Sequence, residues 1–165
     1  MVFRILDATS FYAGIPFSSQ DVSYTTPLVF EEIKHIKKSQ GAITALIDTN
    51  RLKIVEPEEK FVQITLKKAE ETGDYQRLSK EDVSVLALCL QLGGELLTDD
   101  FAVSNVAKHL NLKVFPVMTK GADKKKWIYF CAGCNANFSK LSVCPTCGSK
   151  LMRRSSPRKI SLKKP

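Results

Sequence analysis

Two Cys-x-x-Cys pairs, Cys131-Ala-Gly-Cys134 and Cys144-Pro-Thr-Cys147, stand nine residues apart near the end of this chain. Nothing else in the sequence limits the fold as tightly. Zinc binds four thiolates in a tetrahedron, and each pair offers two sulfurs from one tight turn. Gly133 inside the first turn and Gly148 directly after the second suit positions that ask for left-handed backbone angles. A unit spanning 127–152 is too small to fold on apolar burial alone, so metal binding supplies its folding energy. A redox-active pair of dithiols fits such paired knuckles poorly. Four cysteines also fill the coordination sphere and leave no position for water, so the zinc is structural rather than catalytic. Trp127, Tyr129 and Phe138 read as the mini-core of this module. The fifth cysteine, Cys89, lies inside an apolar helical stretch and reads as a core residue.

Charge divides the 165 residues in the same place. Residues 1–118 carry 13 Lys/Arg against 16 Asp/Glu, a net of −3, whereas residues 119–165 carry 12 against one, a net of +11. Such a one-sided basic segment points to a polyanion, and nucleic acid is the commonest soluble one. A solvated basic tail is the bland alternative. Apolar residues make up 44% of the chain, enough for a proper core. No apolar run approaches the ~20 residues that cross a bilayer. The opening MVFRILDATS lacks a basic stretch followed by an apolar one, so we expect no signal peptide, reduced thiols and a cytoplasmic protein without membrane contact.

The expected organisation is an α/β domain over 1–118, a polar linker over 119–126, the zinc module over 127–152 and a basic, unstructured tail over 153–165. Val2 to Leu6 reads as a buried strand. Thr26 caps a helix whose first position is Pro27, and Gly41 to Asp48 reads as a short helix. Leu52 to Val55 reads as a strand, Glu58 to Glu71 as an amphipathic helix ended by Gly73, and Glu81 to Leu92 as the most apolar helix, opened by Ser79. Glu95 to Leu97 (strand), Ala102 to Leu110 (helix) and Val114 to Val117 (strand) complete the alternation. Strands alternating with helices indicate a mainly parallel sheet.

Several carboxylates sit where such a sheet binds ligands. Asp7 ends the first strand, at the carboxyl edge, though it can equally cap the next turn. On a wheel of about 100° per residue starting at Leu28, the apolar Leu28, Val29, Ile33 and Ile36 span roughly 0–140°, and Glu32 falls at about 40°, inside that arc. A carboxylate on a buried face needs a cation. Asp82 stands third in a capping box opened by Ser79. Asp99 and Asp100 follow the strand at Glu95 to Leu97 and can also cap the next helix. If the strands ending at Asp7 and Leu97 are neighbours, these acids meet, and carboxylates so crowded repel unless a cation joins them. Hard oxygen ligands suit Mg²⁺ or Mn²⁺, which promote phosphoryl displacement.

Four segments carry a resemblance: ILDATSF, TPLVFEEI, LSKEDVSVLAL and LLTDDFAVSNVA. With them the chain resembles PIN-domain nucleases, and with the ribbon behind it is similar to the archaeal Nob-type endonucleases, which mature the 3′ end of small-subunit ribosomal RNA. The resemblance implies a PIN-like three-layer α/β fold with a central parallel sheet plus a small zinc ribbon. It implies Asp7, Glu32, Asp82 and Asp100 as catalytic acids holding one or two Mg²⁺ or Mn²⁺ ions, with Asp99 competing with Asp100 for the last role. It implies one structural zinc on Cys131, Cys134, Cys144 and Cys147. Lys124, Lys125, Lys126, Lys140, Lys150, Arg153 and Arg154 are the expected RNA contacts. The partners implied are precursor ribosomal RNA, the pre-small subunit and assembly factors, with oligomeric state left open. A non-catalytic assembly factor and a PIN-type toxin ribonuclease are the rival readings.

Overall fold

A computed structural model describes residues 2–35, 40–119, 125–138 and 143–155. Five short parallel strands form the first sheet: β1 (Arg4–Leu6), β2 (Ser23–Thr25), β3 (Leu52–Ile54), β4 (Glu95–Leu97) and β5 (Lys113–Phe115). Their spatial order is β3-β2-β1-β4-β5, so the chain reverses direction across the sheet between β1 and β4. Leu6 pairs with Leu97, and Asp7 and Thr98 therefore leave the sheet side by side. All five strands end at one edge, which makes the β1/β4 junction the natural ligand crevice.

Helices α1 (Ala8–Tyr12), α2 (Ile15–Ser18), α3 (Pro27–Ile33), α4 (Gln40–Asp48), α5 (Glu59–Thr72), α6 (Lys80–Leu92) and α7 (Phe101–His109) connect the strands. Helix α6 is the central one. Its residues from Val83 to Cys89 are all buried, as befits a helix apolar on every side and enclosed by neighbours. Its own Leu86 and Leu88, with Ile5, Leu6, Ile33 and Leu96 from other elements, are the largest fully buried apolar side chains. Among the described residues no helix is long and apolar enough to cross a membrane.

The elements differ from the sequence expectation in informative ways. The first strand begins at Arg4, and Val2 is 60% exposed, because pairing with β2 and β4 starts only there. The amphipathic helix runs Glu59–Thr72, and the last strand is Lys113–Phe115 rather than Val114 to Val117. Strand β2 and helices α1 and α2 were not expected at all. Residues 153–155, expected as the start of the unstructured tail, are instead strand, because they pair with Trp127 to Tyr129. The residues of the expected linker at 120–124 and of the tail at 156–165 lie outside the described residues.

The cysteine module is a three-stranded antiparallel sheet in the order β7-β6-β8, built from β6 (Trp127–Phe130), β7 (Asn137–Phe138) and β8 (Met152–Ser155). Tyr129, Cys131, Cys144 and Leu151 form its small core, with Phe138 packed on it. The module docks on the first domain. Tyr129 Oη donates to Gly73 O at 3.0 Å, and Arg153 on β8 is ion-paired with Asp74. The buried side chain of Asn105 grips the main chain of Lys125, donating to its carbonyl at 2.7 Å and accepting from its N–H at 2.6 Å.

Candidate active site and metal centre

Each acid at the carboxyl edge is held by the start of a helix. Asp7 caps α1 and is 4% exposed. Thr9 Oγ1 and Ser10 N donate to its Oδ1 at 2.7 and 3.0 Å, and Ser10 Oγ stands 3.2 Å away, its one proton shared between this oxygen and a carbonyl. That carbonyl is Leu97 O, 2.8 Å from the hydroxyl, which fastens α1 to β4. Asp82 completes the capping box of α6: Ser79 N and Oγ both donate to its Oδ2 at 2.8 Å. Asp100 caps α7, its Oδ1 accepting from Val103 N at 2.9 Å. The caps leave the second oxygen of each carboxylate unused by the helix it starts.

Helix α3 reaches the same edge through its own cap. Thr26 accepts from Val29 N at 3.3 Å, and its hydroxyl lies 2.7 Å from that of Ser84, which donates to Glu81 O at 2.8 Å. These bonds are satisfied together if Thr26 donates to Ser84, which fixes α3 against α6. Glu32 is exposed rather than buried, contrary to the wheel argument. Leu28, the residue that anchored the apolar arc, is itself 37% exposed, while Val29 and Ile33 are buried. Helix α3 ends at Ile33, so Glu32 stands in its last turn and clears the core. Ile36, also used in that arc, lies outside the described residues.

The acids feel one another. Burial raises the Asp7 carboxyl above its usual value against the pull of its hydroxyl and amide donors. Burial, opposed by Ser79 and reinforced by Asp100 and Asp7, raises Asp82. Glu32, though exposed, is raised by the partial desolvation of its carboxyl and then by the charges of Glu81, Asp82 and Asp7. Glu81 is thus a member of the cluster that sequence reasoning passed over. The hydroxyls of Thr9, Ser10 and Ser84 were passed over too, although the Ser/Thr residues after Asp7 are a capping signal. Hard oxygen donors with mutual repulsion are the chemistry a divalent cation prefers, but the carboxylate oxygens do not stand close enough together to share one ion as they lie.

Asp99 turns elsewhere. Its carboxylate accepts from Val117 N, Met118 N, Thr119 N and Thr119 Oγ1 at 2.9, 2.8, 3.1 and 2.9 Å. Desolvation opposes its ionisation, but these donors outweigh it and hold the carboxyl below the usual range. It is the clasp of the segment after β5.

The sulfurs are drawn closer together than the carboxylates. Among the described residues only Cys131, Cys134, Cys144 and Cys147 form a group of ligand atoms close enough to share one ion, all lying within 4.8 Å of one another. The two knuckles repeat one backbone pattern. Cys131 N donates to Ala136 O and receives Asn135 N on its carbonyl, at 2.9 and 2.8 Å; Cys144 does the same with Ser149 O and Gly148 N, both at 2.9 Å. The left-handed position after each knuckle is filled by Asn135 (φ 59°) and Gly148 (φ 70°). Gly133 therefore serves space rather than backbone angle, since a Cβ there would meet Ser149 Oγ at 3.2 Å and Cys147 Sγ at 3.4 Å. Four sulfurs so spaced fit Zn²⁺, whose bonds to sulfur are about 2.3 Å long. Burial pushes the Cys89 thiol up to about 12, as expected for an inert core residue.

Among the expected RNA contacts, Lys125, Lys126, Lys150 and Arg154 are exposed. Arg154 lies over Phe130, 4.7 Å from the ring centre. Arg153 faces inward, paired with Asp74 and stacked 4.3 Å over Trp127, so its charge is engaged within the protein. Trp127 in turn meets Phe101 edge-on, which makes it part of the docking face rather than the module's own core. Lys124 and Lys140 lie outside the described residues.

Comparison with known proteins agrees with this geometry. A family model described as the PIN domain of ribonuclease matches residues 5–92, a span that includes Asp7, Glu32 and Asp82. An Endoribonuclease Nob1 of Pyrococcus abyssi is 36% identical over 149 residues, covering 88% of this chain and 89% of its own. A Ribonuclease VapC1 of Thermoplasma acidophilum is 36% identical over 136 residues, 80% of this chain and 69% of its own. The 20S-pre-rRNA D-site endonuclease NOB1 of Saccharomyces cerevisiae is 34% identical over 100 residues, 59% of this chain and 22% of its own.

Proposed function

The chain belongs to the PIN-domain endoribonucleases of the Nob1 type, and from that membership we propose that it cuts single-stranded precursor RNA at the 3′ end of the small-subunit ribosomal RNA. It is an endoribonuclease; the substrate is the step beyond. The observation that carries the reading is the parallel pairing of Leu6 with Leu97, which sends Asp7 and the run from Thr98 to Asp100 out of the sheet together.

Asp7, Glu32, Asp82 and Asp100 would hold the divalent ion, Mn²⁺ or Mg²⁺. Such an ion supplies an activated water and neutralises charge on the scissile phosphate. The chain's residues do the positioning: Thr9 and Ser10 fix Asp7, Ser79 fixes Asp82, and the first turn of α7 fixes Asp100. Glu81 adds negative charge that favours cation binding. Zinc on the four cysteines would order the module whose exposed Lys126, Lys150 and Arg154 meet RNA phosphates, contacts that weaken steeply with salt. We read residues 1–118 as the nuclease domain and 127–155 as the ribbon, since β8 runs to Ser155.

The test is cleavage of an RNA spanning that 3′ end, with and without added Mn²⁺, by the native chain and by Asp7→Asn. Cutting at one position that needs Mn²⁺ and disappears in the variant is the expected result. Tight binding without cutting by the native chain would instead favour an assembly factor.

A further inference from the structure

Beside the acids lies a second cavity, of about 390 Å³, that the phosphate chemistry does not use. Leu28, Tyr75, Leu78 and Val83 supply apolar wall. It lies at the sheet's carboxyl edge, on the flank of β2 and β3: Leu28 follows β2, and Glu56 and Pro57 follow β3. It reaches the acids through the residues that hold them, because Ser79 and Ser84 line it. Ser79 is the residue whose N–H and hydroxyl hold Asp82, and Ser84 ties α6 to the cap of α3.

We propose that this cavity seats a nucleobase of the RNA substrate close to the scissile phosphate, so that the enzyme reads a base as well as a backbone. The proposal rests on the reading of the chain as an enzyme that cuts single-stranded RNA.

Three observations choose the occupant. A phosphate is disfavoured, because two carboxylates, Glu56 and Glu59, line the cavity against one cation, Lys80. Carboxylates accept hydrogen bonds from the amine edges of bases. The walls are apolar and include one aromatic ring, the surroundings in which an unstacked base of single-stranded RNA is held. The location fits a strand already anchored at the acids: neighbouring strands are about 4.8 Å apart, so β2 and β3 lie roughly 5–10 Å from β1, the reach of two or three stacked nucleotides at about 3.4 Å each. The cavity on the other flank, about 230 Å³, is walled by Asp99, Asp100 and the start of α7.

A base seated against Ser79 bears on the residue that orients Asp82. Recognition there would raise the cleavage rate as well as the affinity, which is how an enzyme turns binding into selectivity.

The experiment uses the zinc-loaded full chain and single-stranded RNAs spanning the cleavage junction, each lacking one base. Affinity is read by fluorescence anisotropy with the Asp7→Asn chain, and cleavage with the native chain and Mn²⁺. Base removal at one position near the cut should weaken binding about 10-fold, within the worth of one stacked base. In a chain that also carries Leu28→Ala, the same removal should matter several-fold less, because the wall is gone. Leu28 is part-exposed, and a melting curve checks that the variant folds. Glu56→Gln, on the surface, should change which base is preferred at that position. Equal affinity for every base-deleted RNA, or an unchanged penalty in Leu28→Ala, would overturn the proposal while the native chain's cleavage leaves the enzyme reading intact. An RNA neither bound nor cut would overturn the functional reading first, and the base site with it.

Discussion

Asp74, with no exposed side-chain surface, is ion-paired with Arg153 of the cysteine module's last strand, and Asn105 also donates to it at 2.6 Å. The pair joins two segments 79 residues apart and seals the junction between the two sheets. Removing one partner of a buried pair strands the other charge, at a typical cost of 3–5 kcal/mol.

Arg153→Ala should therefore destabilise the protein by about 3 kcal/mol, the low end because Asn105 still serves Asp74, and lower the melting temperature by roughly 10 °C. Asp74→Ala should cost less, since the Arg153 side chain is 14% exposed and can turn to water. Calorimetry on both variants checks this. Equal and negligible shifts would mean that the junction contributes nothing to stability.

Trp127 is the chain's only tryptophan and sits in that junction, edge-on to Phe101 and beneath Arg153. Its emission therefore reports docking. Replacing Cys131 and Cys134 by Ser removes two of the four sulfurs and one of the module's few buried residues. The emission should shift to the red as Trp127 meets water, and RNA affinity should fall, while far-UV dichroism of the helices persists because their core lies in the first domain. Unshifted emission would show that the module stays docked without its metal.

How legible this was depends on how local each cause is. The paired cysteine turns, the Thr26 cap and the Ser79 box are written within four or five consecutive residues, and they stand as expected. Strand β2 is Ser-Tyr-Thr, three residues with no apolar run. It exists because β1 and β3 flank it, and a pairing between distant segments leaves no local trace. Glu32 misled because a helical wheel presumes a long helix, whereas α3 stops at Ile33. Arg153 looked like an RNA contact because its neighbours in sequence are basic; its partner Asp74 comes from far up the chain. Asp99 and Asp100 compete for one role, and the bonds from the backbone of 117–119 to Asp99 that set the two apart are something no spacing argument sees.

That competition is open to direct test. Asp100→Asn should lower Mn²⁺-dependent cleavage by about 100-fold or more, since even residues behind metal ligands commonly matter 10–100-fold. Asp99→Asn should cut at close to the native rate, and its effect should appear instead as faster hydrogen exchange at Val117, Met118 and Thr119, whose amides it accepts. The reverse pattern would exchange the two roles.

Asp7 and Asp82 have folded-state values above the ordinary 3.8, and Glu32 above 4.5. The folded, Mn²⁺-free protein thus holds these protons more tightly than the unfolded chain does. Their stabilising contribution is full below the unfolded values and is lost as pH rises through the raised folded ones. At pH 7 without Mn²⁺, Asp7→Asn should therefore melt above the native chain, since it removes a buried charge yet keeps an oxygen to cap α1, and this advantage should shrink towards pH 4. Added Mn²⁺ should reverse the order at pH 7, because a cation bound to the folded state stabilises it and needs the Asp7 carboxylate. Melting curves at several pH values, with and without Mn²⁺, decide it: an Asp7→Asn chain less stable than the native one at pH 7 in the absence of Mn²⁺ would mean that Asp7 is a structural cap first and a metal ligand second.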